Sequence, residues 1–114
     1  MFANKYRLRD TKRIAEVFKT GRYIHGKYVF IKYVPSKQVC ARIAISVSTK
    51  LFKQATKRNR IKRLIREALK PHLSNLPELD ILVITKSTLT TDVSLDALKK
   101  DTDEIFKKLT SPKY

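Results

Sequence analysis

The chain is poor in what a protein-based catalytic centre is usually built from. Its 114 residues include one cysteine, two glycines and two histidines, and ten Asp/Glu stand against twenty-six Lys/Arg. The lone Cys40 cannot form an internal disulfide, which fits a reducing compartment. It stands in an apolar alternation and reads as a strand residue, not a nucleophile. There is no HxxxH or CxxC spacing and no Gly-rich phosphate loop. A nuclease working through its own side chains needs clustered carboxylates or histidines to bind metal and activate water. His25 and His72 sit in a turn and beside a proline, and "DTDE" (101–104) reads as helix surface, so no catalytic residues and no protein metal site are expected. No apolar run approaches the roughly 18 residues that mark a membrane-spanning helix. "MFANKYRLRD" lacks the apolar segment of a secretory signal, so a cytoplasmic protein is expected.

What is present is positive charge. The net charge is +16, and it is unevenly spread. Residues 1–70 hold twenty Lys/Arg and three Asp/Glu, whereas residues 71–114 hold six and seven. Such an excess in a folded chain containing aromatic residues points first to nucleic acid and second to an anionic membrane surface.

The length and a 42% hydrophobic content fit a single domain over residues 1–114 with a modest core. Residues 1–9 read as extended. Asp10 can cap a helix running to about Thr20, with Gly21 as its stop and Ile14, Val17 and Phe18 as its apolar stripe. His25-Gly26 marks a turn between a short strand and a longer one near 27–34, and "PSK" at 35–37 marks another turn. Residues 38–48 alternate. Val39, Ala41, Ile43, Ile45 and Val47 form a face for helices. Cys40, Arg42, Ala44, Ser46 and Ser48 form a small, partly polar trough. Pro71 and Pro77 bracket a loop or frayed helix end. "DILVIT" (80–85) reads as a strand buried on both faces. A last helix over about 91–109 turns Leu95, Leu98, Thr102, Ile105, Phe106 and Leu109 inward. The order is α-β-β-β-α-β-α, an α+β domain with helices covering one face of its sheet.

The most informative stretch is "KRNRIKRLIRE" (57–67), in which six of eleven residues are Lys or Arg. At 100° per residue, Ile61, Leu64, Ile65, Ala68 and Leu69 fall within an arc of about 140°. Asn59, Lys62, Arg63, Arg66 and Lys70 fall opposite. Lys57, Arg58 and Arg60 crowd the helix N-terminus, where the dipole disfavours cations and an anion would relieve the repulsion. Arg suits phosphate geometrically, acidic i±4 partners are nearly absent, and Lys50 and Lys53 add charge nearby. A solvated face explains these features less well than a phosphate-binding ridge.

These residues carry a family resemblance. "RIAISVSTKLFKQATKRNRIKRLIREAL" (42–69), centred on Arg58, Asn59 and Arg60, resembles the signature of the bacterial ribonuclease P protein subunit. Leu8, Arg9, "VFKTG" (17–21) and the strand order agree with it, so that the resemblance spans nearly the whole chain. It implies a ribosomal-protein-like α+β fold with a left-handed β-α-β crossover, a hand that is rare for such connections. It further implies a protein that assists a catalytic RNA in removing the 5′ leader of precursor tRNA, with Mg²⁺ held by the RNA and the substrate. The implied partners are ribonuclease P RNA and leader-bearing precursor tRNA, with no membrane and no obligate protein partner.

By position, Lys50, Lys53, Lys57, Arg58, Asn59, Arg60, Lys62, Arg63 and Arg66 would meet the catalytic RNA. Arg9, Ile14, Phe18, Tyr28, Phe30 and Lys32 would form the leader cleft. Many members carry an aromatic residue where this chain has Ile14, and some where it has Lys32, so stacking here would rest on Phe18, Tyr28, Phe30 and charge. Many members also have a glycine in the loop before the basic helix, and "TKLFKQAT" (49–56) has none. Plain core packing is the competing account of Phe18 and Phe30, and an exposed strand aromatic that of Tyr28. A ribosomal protein bound statically to rRNA would need the ridge but not the trough. A membrane-surface module would need an exposed apolar helix face, yet the stripe of 61–69 is required for the core.

Overall fold

Asp10 opens the first helix in the way its side chain predicts. In the computed structural model, which describes residues 4–36 and 40–110, its carboxylate accepts the Lys12 N–H at 3.0 Å at the start of α1 (Thr11–Thr20). The helix stops where the Gly21 N–H closes on the Val17 carbonyl. Gly21 is extended, and what requires glycine is proximity: a Cβ would stand 2.5 Å from Val17 O and 3.1 Å from Tyr33 N.

The hairpin of β1 (Arg22–His25) and β2 (Val29–Pro35) follows, turning at Gly26 as expected. β3 (Arg42–Ser46) leads through α2 (Ala55–Leu69) to β4 (Leu79–Thr85), and α3 (Leu95–Thr110) ends the described chain. The sheet order is β1-β2-β4-β3, antiparallel except for the parallel β3–β4 pair that α2 connects. Central β4 is almost wholly buried, as its apolar run predicts. The element order α-β-β-β-α-β-α matches the expectation.

Other boundaries shift. The N-terminal segment is not simply extended. It makes a 3₁₀ turn at Asn4–Tyr6, and the Leu8 N–H then donates to Ile43 O on the edge of the sheet. β3 is shorter than residues 38–48, and Lys37 and Val39 lie outside the described residues. The last helix begins at Leu95 because the Ser94 hydroxyl, not a residue near 91, takes the Ala97 N–H. A 3₁₀ turn at Lys70–Asn75 occupies the Pro71 region.

Helices cover both faces of the sheet, not one. Ile31, Ile43, Ile81 and Val83 pack with Ile61, Ile65, Leu69, Leu98 and Ile105 of α2 and α3. On the opposite face Leu8, Val17 and Leu82 form a smaller cluster with Ile14, Val34, Ala44 and Ile84. Full burial of such side chains contributes about 1.5–3 kcal/mol each. The unforeseen placement of α1 has an electrostatic cause. Asp80 is fully buried in β4 and accepts from Arg42 Nε and Nη2, both at 2.9 Å, and from Arg13 Nε of α1 at 2.6 Å. Arg13 also donates to Pro35 O at 3.0 Å, so one guanidinium fastens α1 to two strands.

The sequence also misplaces Asp101, which is buried and not on the helix surface. Its carboxylate accepts the N–H groups of Lys27, Tyr28 and Val29 at 2.6, 2.9 and 3.3 Å, which fixes the β1–β2 turn against α3. Gly26 lies so close that a Cβ would come within 2.6 Å of Asp101 Oδ1 and Ile105 Cδ1.

Burial alone would raise the Asp80 pKa, but the hydrogen bonds and charges of Arg42 and Arg13 outweigh it and hold the group below the ordinary carboxylate value. A depressed folded-state pKa stabilises the fold above the unfolded value of about 4, and this is lost as the pH falls through the folded value. Asp80→Asn should therefore cost about 2–4 kcal/mol at pH 7. Denaturant unfolding should show the gap from wild type narrowing well below pH 4.

Candidate nucleic-acid interface

α2 divides as its periodicity predicts. Ile61, Ile65, Ala68 and Leu69 are buried, while Lys57, Asn59, Arg60 and Arg63 are exposed. Its first turn has no acidic residue, and Gln54 at the N-cap makes no side-chain capping bond. The ridge is not uniform, however. Arg58 Nη1 bends back to the carbonyls of Phe52 and Lys53 at 2.8 and 2.9 Å, where it ties down the β3–α2 loop. Arg60 Nε reaches Thr91 O at a long 3.4 Å. Two of the three cations expected to crowd the helix start are thus partly used in holding neighbouring backbone.

Beside the ridge, Lys50, Lys53 and Lys57 share a hollow of about 510 Å³ with Ser87, Thr90 and Thr91 of the β4–α3 loop. Along the outer edge of β3, where the Arg7–Leu8 backbone pairs with Ile43, lies a second groove of about 340 Å³. Lys62 and Arg66 from α2 line it on one side, and Arg7, Arg9 and Ile14 on the other. Part of the ridge set and part of the cleft set therefore meet in one groove. Arg7 joins them without having been singled out in the sequence.

The cleft continues across the sheet face that carries α1. Phe18 stays 51% exposed, which excludes plain core packing as its role. Lys32 Nζ stands 4.1 Å from the Phe18 ring centroid and donates to Phe18 O at 2.8 Å. Phe30 is half-buried on the same face, in register with Ile84 and, through it, with Ser46. The expected trough floor is present at exposed Ser46, while Ala44 packs in the cluster under α1.

Tyr28 does not belong to this set. Because Asp101 gathers the backbone of residues 27–29, the alternation of β2 begins only at Val29. The Tyr28 ring packs on the α2–α3 side of the sheet beside Ala97 and Lys100. Two aromatic residues that sequence reasoning missed lie on this face instead. Tyr23 and His25 stand in register with Lys32 and Phe30. Only the length of the turn at Gly26 decides that register, and no local signal fixed that length. Cys40, expected in the strand, precedes β3, and its thiol donates to Lys5 O at 3.4 Å.

Among the described residues, no three His, Cys, Asp or Glu side chains form a group able to hold a metal ion. His72 pairs with Asp103 at 2.5 Å and packs on Phe106. No described helix is long and apolar enough to cross a membrane.

A family model described as Ribonuclease P matches residues 2–110. The chain belongs to the ribonuclease P protein family. It is 32% identical over 108 residues to the ribonuclease P protein component of Azoarcus sp., covering 95% of this chain and 89% of that one. It is 35% identical over 104 residues to that of Clostridioides difficile, covering 90% and 86%. The solved RNase P protein of Staphylococcus aureus superposes with a TM-score of 0.79 at 28% identity, over 92% of this chain and 95% of that one. Within this family member, the structure separates ridge residues that hold the fold from those facing outward. Arg58→Ala should lower stability by about 1–3 kcal/mol through two orphaned carbonyls, whereas Lys57→Ala should stay within about 0.5 kcal/mol of wild type in the same denaturant titration.

Proposed function

We propose that this chain is the protein subunit of a cytoplasmic ribonuclease P whose chemistry resides in its RNA. It assists removal of the 5′ leader from precursor tRNA by binding that RNA along α2 and the single-stranded leader in the trough. The observation that carries this reading is the groove lined by Lys62 and Arg66 of the ridge together with Arg9 and Ile14 of the cleft set. RNA on the ridge would deliver a strand directly to the cleft.

Each part has a physical task. Lys57, Arg60 and Arg63, with Lys50 and Lys53 beside the helix start, neutralise phosphates. Phe18 and Phe30 offer rings on which bases stack without sequence readout, and Lys32 adds charge at the same spot. Mg²⁺ belongs to the RNA and the substrate in this reading, and the described side chains offer no carboxylate cluster to hold it.

Reconstitution tests the proposal: adding the chain to a bacterial ribonuclease P RNA at near-physiological Mg²⁺ should restore 5′ maturation, while the protein alone should not cleave. Lys57→Ala with Arg63→Ala should weaken RNA binding and make the slope of log K against log salt shallower by about 1.4–1.8. An unchanged slope would remove the ridge from the interface. Phe18→Ala should lose about tenfold or more in preference for leader-bearing over mature tRNA while binding the catalytic RNA as before. Equal losses for both tRNAs would place Phe18 outside the leader path.

A further inference from the structure

The trough does not end at Phe18. Register places His25, Phe30, Ile84 and Ser46 in one row across all four strands, on the face that carries α1. The neighbouring row is Tyr23, Lys32, Leu82 and Ala44. α1 covers the second row through Val17 against Leu82, but the outer strand β1 keeps its rings in solvent. Tyr23 is 60% exposed, the most exposed of the large hydrophobic side chains among the described residues. Tyr23 and His25 meet edge to face at 4.8 Å, and His25 and Phe30 at 5.3 Å, so three rings form a ladder climbing from the trough to the sheet edge.

Nothing in the core accounts for these rings. The opposite side of β1, at Ile24, already packs on the main core, and the ladder faces away from it. The charge around the ladder suits a polyanion. Lys32 is in register with Tyr23, and among the described strand residues the only acid on this face is Asp80, which is buried and bound by two arginines.

We propose that Tyr23 and His25, continuing from Phe30, are a second base-stacking platform that carries the leader outward over the β1 edge. The inference rests on the leader-binding reading above. The strand enters at the β3 groove, where the ridge delivers it, passes Phe18 and Phe30, and leaves over β1. The ladder therefore touches nucleotides farther from the cleavage point than Phe18 does, about one base for each exposed ring. A second copy of this chain is the less favoured occupant, since two molecules at +16 repel.

The test uses the reconstituted holoenzyme and precursor tRNAs whose leaders lengthen in steps from two to ten nucleotides. Wild-type affinity should rise with length. Tyr23→Ala and His25→Ala should match wild type on the shortest leaders and lose about five- to hundredfold on the longest. Tyr23→Phe, which keeps the ring, should retain most of the gain. Equal loss at every length, which a merely structural role would give, overturns the platform. So does an unchanged length profile, or a protein dimer that Tyr23→Ala dissolves. A wild-type holoenzyme indifferent to the leader overturns the underlying cleft reading, and the platform with it.

Discussion

A single buried carboxylate sets the shape of this protein. Asp80 lies in the central strand, shielded from water, and is tolerable there only because Arg42 and Arg13 complete its hydrogen bonds. Arg42 comes from the neighbouring strand and Arg13 from α1, so charge neutralisation and helix placement are one event. With α1 fastened at Asp80, Val17 falls on Leu82 and Phe18 is left at the margin of the helix footprint. The rest of that sheet face stays open, and the trough is the area that a ten-residue helix leaves uncovered.

Acidic residues are scarce, and several are used internally. Asp80 binds α1 to the sheet, Asp101 gathers the β1–β2 turn, Asp10 caps α1 and Asp103 pairs with His72. Negative charge is thus drawn into structural contacts, where Arg13 and Arg42 answer Asp80, while most of the described Lys and Arg stay exposed. The cationic exterior follows from where the few carboxylates are placed as much as from the number of bases.

Features generated by local chemistry were legible in the sequence. The capped α1, the striped α2, the continuous apolar β4 and the inward stripe of α3 each depend on spacing within one segment. Features generated by long-range pairing were not. The side of the sheet taken by α1 depends on an Arg13–Asp80 bond across 67 residues. The orientation of Tyr28 depends on Asp101, 73 residues away. The same limit hid Tyr23 and His25, whose partners depend on turn length, and the inward bend of Arg58, which looks like any other cation on a helical wheel. The ridge could be read as a composition, but the division of its arginines between backbone and solvent could not.

Lys32 shows what one side chain can do. Its ammonium lies over the Phe18 ring and holds the same residue's carbonyl, so a half-exposed side chain is fixed before any ligand arrives. Ordering a free side chain at an interface costs about 0.5–1.5 kcal/mol in lost rotamers. A ligand that stacks on Phe18 would meet a ring already held in place, so less of the association free energy would be lost to side-chain entropy.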